Sequence, residues 1–115
     1  MFRSSHNDFV CLLSIIESID KIFIYIDKFN DADEFNNDSK SFDAAMMNFI
    51  VIGEMAVKLS EEFKKSTEAK INWFKIKGFR NIIVHNYFGI DAEEVWQIIH
   101  NNLPNLKKDI KEIID

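Results

Sequence analysis

Arg80, His85 and Tyr87 form the pattern Arg-x4-His-x-Tyr, and together they could perform chemistry on a phosphate ester. Arginine is a permanent cation whose planar fork suits bidentate phosphate contacts. Histidine has the unperturbed proton affinity nearest neutral pH, and a tyrosine hydroxyl can bind a ligand or receive a transferred group. The chain has only two arginines, three histidines and two tyrosines, so this short segment concentrates scarce reactive side chains.

These residue types suggest cleavage of a phosphodiester. Arg80 would hold a non-bridging oxygen and stabilise charge in the transition state, while His85 would act as general base or acid. Asn81 and Asn86 could orient the substrate or the imidazole. In RNA the 2′-hydroxyl can serve as the nucleophile, so no metal is needed. No His-x3-His or carboxylate-rich pattern surrounds the segment, and we therefore expect no metal and no cofactor.

The spacing of the three residues on a helix leaves the geometry of such a site open. At about 100° per residue, Arg80 and Tyr87 lie nearly on one stripe, whereas His85 lies about 140° around the axis from Arg80. Either the helix ends or distorts near His85, or a second copy of the chain supplies part of the site. A structural alternative is that Arg80 merely pairs with an acid such as Glu54 and that His85 satisfies a carbonyl at the end of a helix.

Composition limits the class of protein. A chain of 115 residues is expected to form one domain, residues 1–115, and its scarcity of Gly and Pro favours long helices over a β-sandwich or barrel. The single cysteine, Cys11, excludes an internal disulfide framework and a multi-thiolate zinc site, and its apolar neighbours predict a buried thiol. We see no signal peptide and no apolar segment long enough to span a bilayer, so a cytoplasmic protein is expected.

Charge is distributed unevenly along the chain. The net charge of −5 argues against a generic nucleic-acid binder, which usually carries a basic face. Residues 64–80, however, contain six cations and one carboxylate, and they lead directly into the Arg-His-Tyr segment. This stretch is either part of a cationic cleft or a solvated lysine-rich loop.

Apolar residues recur at helical spacing almost throughout and show no strand signal. They predict helices over residues 5–28 and 39–64, a third beginning near Asn72 and reaching Gly89, and a fourth that Asp91 caps and Pro104 kinks or splits near Asn102. Residues 29–38 are predicted to form a loop. The expected architecture is all-α, an antiparallel four-helix bundle.

The same pattern predicts individual core residues. In the first helix the predicted stripe consists of Phe9, Leu12, Leu13, Ile16, Ile19, Phe23 and Ile26. We expect Ile16, Phe49, Ile83 and Ile99 to be buried, and we also expect burial of Trp73 and Phe88. Gly53 in mid-helix costs about 1 kcal/mol relative to Ala. Either another backbone packs closely against it, or it is a tolerated defect.

The segment INWFKIKGFRNIIVHNYFGID, followed by VWQII and LPNL, resembles the HepT-type toxins of the HEPN superfamily (higher-eukaryote and prokaryote nucleotide-binding domain). The similarity covers nearly the whole chain and includes the family's R-N-x3-H-x-Y-x3-D core. Upstream, IGE at 52–54 and KLS at 58–60 resemble a further family segment. Met55 departs from the usual small residue, and Phe79 stands where Met is common, but the Arg-His-Tyr pattern is intact.

This resemblance implies an all-α fold that dimerises, with the two motifs facing a shared cleft. It implies a metal-independent endoribonuclease toxin of a two-gene toxin–antitoxin system that acts on RNA. Its partner would be a minimal nucleotidyltransferase antitoxin that neutralises it by transferring AMP from ATP to the motif tyrosine. By position, Arg80 and His85 are then catalytic and Tyr87 is the modified residue.

Two rival functions remain open. The chain could be a HEPN domain that binds a nucleotide or an RNA end without cutting it, or it could be an interaction subunit of a nucleotidyltransferase complex.

Overall fold

A computed structural model describes residues 6–115 of the chain, and this part is helical apart from short connections. The predicted all-α class is confirmed. The described elements are α1 His6–Ile26, α2 Ala32–Asn37, α3 Ser39–Lys58, α4 Glu61–Thr67, α5 Trp73–His85, a 3-10 turn Tyr87–Gly89, α6 Ala92–Asn101 and α7 Leu103–Ile114. The count of four helices is therefore too low, because the predicted helix over residues 39–64 is divided and the predicted loop at residues 29–38 contains a helix. The division of the last helix was itself predicted. Ser5, the predicted start of the first helix, lies outside the described residues. Among residues 6–115, no helix combines the length and apolarity needed to cross a membrane.

The centre of the fold is the long contact between α1 and α3. Helix α5 packs against α3, α7 packs against α1, and α2 joins α6 to this core. The buried cluster draws on all of these helices, with Ile19, Met46, Ile83, Ile99 and Ile110 almost wholly removed from solvent. Since α5 contacts α3 far more than any other long helix, α3 is the element that positions the Arg-His-Tyr segment.

Three of the four core predictions are confirmed, because Phe49, Ile83 and Ile99 are buried. Ile16 is only partly buried and packs at the edge of the core. The predicted stripe of α1 was rotated from the true one: Phe9 and Leu13 are exposed. The residues that face the core are Cys11, Leu12, Ile15, Ser18, Ile19, Ile22 and Ile26. Helix α1 is apolar around much of its circumference, so periodicity fits two stripes and packing against α3 and α7 selects one.

Cys11 is buried, as predicted, and burial raises the pKa of its thiol. A thiol that is protonated and shielded in this way is a poor nucleophile.

The predicted loop at residues 29–38 is wrong, since it contains α2. Asp31 caps this short helix by accepting a hydrogen bond from the Glu34 amide at 2.9 Å. Phe35 is fully buried, and its ring centre lies 5.1 Å from that of Phe42 and 5.9 Å from that of Trp96. The turn-forming residues are therefore caps of a short helix that a buried aromatic side chain ties to α3 and α6.

The predicted continuous helix over residues 39–64 is also wrong, since α3 ends at Lys58 and α4 begins at Glu61. Ser60 caps α4 by accepting a hydrogen bond from the Phe63 amide at 3.2 Å. Its own amide and hydroxyl donate to the buried carboxylate of Asp8 at 2.8 Å and 2.7 Å. A carboxylate from α1 thus holds Ser60 in an extended conformation that breaks the helix.

Other predicted helix ends are confirmed. Asn72 caps α5 through the Lys75 amide at 3.0 Å, and Asp91 caps α6 through the Glu93 amide at 2.9 Å. The final helix is split at Asn102, and Pro104 lies in the first turn of α7, where its missing N–H costs little.

Gly53 allows α5 to lie close to α3. A Cβ atom added there would clash with the Cβ of Arg80 and lie 2.5 Å from its Cγ. The expected close approach of a neighbouring element is thus observed: the first atoms above Gly53 are the Cβ and Cγ of Arg80 on α5.

We predict that Gly53→Ala lowers the free energy of unfolding, measured by urea denaturation in dilute protein. The gain in helix propensity is about 1 kcal/mol, but overpacking costs typically 1–3 kcal/mol, so we expect a net loss on the order of 1 kcal/mol. Gly78→Ala in α5 is the matched control, because its added Cβ meets nothing within 4 Å and should stabilise the monomer. Stabilisation by Gly53→Ala would contradict this explanation.

Candidate active site

Arg80 lies on the edge of α5 that faces α3, and its guanidinium is held on two sides. Its Nε donates to Oε1 of Glu54 at 2.7 Å, and one terminal nitrogen donates to the same oxygen. The other terminal nitrogen donates to Oδ1 of Asn81 at 2.6 Å. The predicted pairing of Arg80 with Glu54 is therefore confirmed.

These contacts leave part of the guanidinium available. Arginine has five N–H donors, and the described contacts account for three of them. The Arg80 and Glu54 side chains are 26% and 39% exposed, so the pair adds little to stability, typically less than about 1 kcal/mol. The main effect of the ion pair is to fix the direction of the Arg80 guanidinium, which a bidentate contact with a phosphate requires.

His85 is the last residue of α5, and its side chain is exposed. The helix remains regular to this point, because the Asn86 amide donates to the Ile82 carbonyl at 2.9 Å. Arg80 and His85 therefore leave the helix axis about 140° apart. Among the described residues no hydrogen bond joins Arg80, His85 and Tyr87 to one another. Within one chain, α5 stays helical through His85, so the end of the helix does not turn His85 towards Arg80.

Tyr87 does not belong to α5, so the predicted shared stripe with Arg80 is wrong. The extended φ of −144° at Asn86 ends the helix, and Tyr87 begins the 3-10 turn. Its hydroxyl donates to Oδ1 of Asp43 on α3, and its ring meets the Phe42 ring edge-on at 6.3 Å. Burial, followed by the hydrogen bond and the negative charge of Asp43, raises the pKa of Tyr87 to about 12.

Helix α3 thus anchors both ends of the motif at separate places. Glu54 contacts Arg80 and Asp43 contacts Tyr87, and these two acids lie on the same side of α3, about 16 Å apart along its axis. Asp43 was missed in the sequence because it lies 44 residues from Tyr87, and no local pattern links the two.

The two motif asparagines contact protein groups. Asn81 accepts from Arg80, and the side chain of Asn86 covers Gly89 so closely that an added Cβ would lie 2.5 Å from its Nδ2. Asn81 therefore steadies the guanidinium and Asn86 shapes the 3-10 turn. Their predicted roles in orienting substrate stay predictions.

Phe88 is fully exposed, which corrects the expectation that it would be buried. It lies on the 3-10 turn, where its ring contacts that of Tyr87 edge-on at 5.7 Å and nothing covers its outer face in the single chain. Trp73 is buried as predicted, and its indole N–H donates to Thr67 at 2.8 Å.

An apolar groove of about 630 Å³ runs between α5 and the α6–α7 pair. Phe49 and Ile52 of α3 form its floor, and its walls include Phe74, Phe79, Ile82, Ile98, Leu103 and Leu106. We call this the α5–α7 groove. Phe74 is 84% exposed and Ile82 is 52% exposed, so a single chain leaves much of this apolar surface in water.

The cations of residues 64–80 do not form one loop, because they are distributed over α4, α5 and the connection between them. Lys64 pairs with Glu61 at 2.9 Å and Lys70 pairs with Glu112 at 2.6 Å, so part of this charge is neutralised locally. Within residues 6–115, no group of three or more His, Cys, Asp or Glu side chains is placed to hold a metal ion.

A family model described as "Ribonuclease HepT-like" matches residues 15–113. The chain belongs to the HepT-like ribonuclease family. This confirms the resemblance drawn from the Arg-His-Tyr segment and its flanking motifs, and it makes ribonuclease the enzyme class of this chain.

Relatives of this HepT-like chain carry names of the same kind. It is 37% identical over 105 residues to "Putative RNase MJ0127" of Methanocaldococcus jannaschii, which covers 90% of this chain and 84% of the relative. It is 32% identical over 82 residues to "Putative RNase TTE0752" of Caldanaerobacter subterraneus, covering 71% and 72% of the two chains. It is 26% identical over 108 residues to "Probable ribonuclease HepT" of Thermococcus cleftensis, covering 91% and 92%. No solved structure matches the chain.

We predict that the Tyr87 phenol of this HepT-like chain titrates near pH 12 and that Asp43→Asn moves its pKa towards the ordinary value of 10. Removal of the carboxylate charge makes the phenolate less unfavourable, while burial still keeps the pKa somewhat raised. Absorbance at the phenolate band would be followed in a Tyr25→Phe background, which leaves one tyrosine.

The linkage has a definite sign. Because the folded pKa of Tyr87 is raised, its contribution to stability is complete below pH 10 and is lost as the pH rises towards 12. An unchanged titration in Asp43→Asn would show that the carboxylate does not contact the phenol in solution.

Proposed function

We propose that this chain is a metal-independent endoribonuclease toxin that acts as a homodimer, with Arg80 and His85 as catalytic residues. We further propose that a minimal nucleotidyltransferase antitoxin neutralises it by transferring AMP from ATP to Tyr87. The observation that carries the proposal is a HepT-like chain whose motif arginine is held in a fixed direction with N–H donors still free, and whose motif histidine is exposed at the end of the same helix.

The proposed reaction is an internal transfer within RNA. His85 accepts the proton of a 2′-hydroxyl, whose oxygen bonds to the adjacent phosphorus while the bond to the 5′-oxygen breaks. The leaving oxygen takes up a proton, and a cyclic phosphate remains. The free donors of Arg80 bind the non-bridging oxygens, where negative charge increases in the transition state.

The geometry of α5 supports the proposal of a homodimer. A regular helix separates Arg80 and His85 by about 140°, so one chain does not point both side chains into a pocket the size of a phosphate. In a two-fold dimer the histidine of one copy can face the arginine of the other. The second of the two sequence-based alternatives is therefore the one we propose.

The outward face of α5 carries apolar surface that a second copy of the chain could cover. Arg80 lies on the opposite side of this helix, so this face would hold the two copies together beside the shared cleft and would not itself form the cleft. Phe74, Gly78 and Ile82 follow one another at intervals of four, and His85 continues the same side of the helix. Phe74 and Ile82 are exposed apolar side chains, and the space outside Gly78 is open. A mid-helix glycine between two exposed apolar residues lets another helix approach closely, and the α5–α7 groove beside it offers apolar surface to cover.

Neutralisation would act where the motif is tied to α3. The hydroxyl of Tyr87 makes its hydrogen bond through the proton that adenylation removes. An adenylate adds a bulky anion there, which would obstruct RNA entering the cleft and repel its phosphates. The acidic net charge of the chain suits contact with a protein partner better than broad RNA binding.

We predict that the purified, unmodified chain cleaves RNA in the presence of a chelator and that His85→Ala lowers the rate by about 10²–10⁴-fold. His100→Ala is the matched control, since His100 is an exposed histidine on α6 whose ring contacts the Trp96 carbonyl. RNA binding without cleavage by the unaltered chain would favour the binding module, and neither binding nor cleavage would favour the interaction subunit.

We predict that Phe74→Glu and Ile82→Glu weaken dimerisation at least about tenfold in sedimentation equilibrium, because each places a charge in an apolar interface. Ile24→Glu on α1 is the control, at a side chain that is 71% exposed.

Complementation tests whether the two copies share the site. An equimolar mixture of Arg80→Ala and His85→Ala chains should recover roughly a quarter of the activity, because half of the dimers are mixed and each mixed dimer has one intact site of two. No recovery, with dimers present, would place both residues of a site in one chain.

A further inference from the structure

The contact between Asp43 and Tyr87 brings a carboxylate to the one atom that adenylation would change. Oδ1 of Asp43 accepts the hydroxyl proton of Tyr87. The partners come from different elements, α3 and the 3-10 turn, so the contact belongs to the tertiary structure. The Phe42 ring supports the Tyr87 ring on one side and the Phe88 ring meets it on another. The phenol therefore has a fixed position with its proton directed at a base.

The position is also open to an incoming reactant. Asp43 is exposed, Tyr87 is half-buried and the neighbouring Phe88 is fully exposed. A nucleotide held by another protein could approach this side of the 3-10 turn without unfolding of α3 or α5.

We propose that Asp43 is the proton acceptor for adenylation of Tyr87, an inference that rests on the proposed function. In this step Oη of Tyr87 forms a bond to the α-phosphorus of ATP. The bond from that phosphorus to the β-phosphate oxygen breaks, and pyrophosphate leaves. The phenolic proton passes to Oδ1 of Asp43, so the products are adenylated Tyr87, pyrophosphate and a protonated Asp43.

The chemistry requires such a base. With its pKa raised to about 12, the phenol is almost wholly protonated at neutral pH, and a neutral phenol is a weak nucleophile. A carboxylate already hydrogen-bonded to the proton can remove it as the new bond forms.

Transfer of the proton to Asp43 also reduces electrostatic repulsion in the product. An ionised Asp43 would repel the negatively charged phosphate of the adenylate, but it becomes neutral in the step that introduces this phosphate. The adenylate also takes the place of the hydroxyl proton, so the hydrogen bond that tied the 3-10 turn to α3 is lost.

The experiment measures AMP transfer to the chain from ATP labelled at the α-phosphate, with Mg²⁺ and a purified minimal nucleotidyltransferase of the partner class proposed above. The variants are Asp43→Asn, which keeps the shape and an acceptor oxygen but is not a base, and Asp43→Glu, which restores the base. Asp27→Asn is the matched control, at an exposed aspartate just after α1. Tyr87→Phe reports AMP transfer to other sites. The rate of transfer is measured at several concentrations of the chain, which separates KM from kcat.

We expect Asp43→Asn to lower kcat for AMP transfer at least about 10²-fold with little change in KM, Asp43→Glu to recover part of it, and Asp27→Asn to match the unaltered chain. Equal kcat in Asp43→Asn and the unaltered chain, or a change confined to KM, would overturn the assignment of Asp43 while leaving adenylation of Tyr87 intact. No AMP on the unaltered chain, or AMP that persists in Tyr87→Phe, would instead refute the proposed modification and the inference with it. Circular dichroism confirms that each variant is folded, and Asp43→Ser replaces Asp43→Asn if the latter unfolds.

Discussion

The seating of Arg80 on α3 is the contact on which the arrangement of the site depends. Gly53 leaves room for the aliphatic stem of this arginine, and Glu54, the next residue, binds its guanidinium. The two residues act in different ways: the glycine sets how closely α5 approaches α3, and the glutamate sets the direction of the charge. Asn81 completes the arrangement from α5 itself. The guanidinium is thereby oriented before any ligand binds, which reduces the entropy cost of binding a phosphate.

This arrangement explains why a structural ion pair and a catalytic role for Arg80 are compatible. A partly exposed ion pair of this kind contributes little free energy, so stability is a weak reason for keeping it. However, a guanidinium that is held in one direction and keeps free N–H donors can stabilise the negative charge that develops in a transition state. The same regular helix that seats Arg80 directs His85 elsewhere, and a single chain is for this reason an incomplete version of the proposed site.

Helix α3 also holds the motif at two separate points. Glu54 and Asp43 hold Arg80, the proposed catalytic arginine, and Tyr87, the proposed modification site, at separate positions along one helix. Arg80 and Tyr87 therefore do not share one stripe of a helix, as their spacing alone predicted. With Tyr87 tied to Asp43, the proposed adenylation would act first on the contact with α3, and its effect on RNA cleavage would be exerted at the entrance of the proposed dimer cleft.

The sequence alone determined the features that depend on neighbours within a few residues. Asn72, Asp91 and Pro104 mark helix ends correctly because capping and the missing proline N–H act over one turn, and the helical period gave the all-α class. It also carried the motif that identifies the family.

Only the tertiary structure decided the contacts that join distant parts of the chain. The buried carboxylate of Asp8 breaks a helix 52 residues away at Ser60, and packing of α1 between α3 and α7 selects its buried face from two apolar stripes. Asp43 meets Tyr87 across 44 residues, and Glu54 meets Arg80 across 26. Local propensity has no information about such pairs, because each exists only once the helices that carry it have packed together.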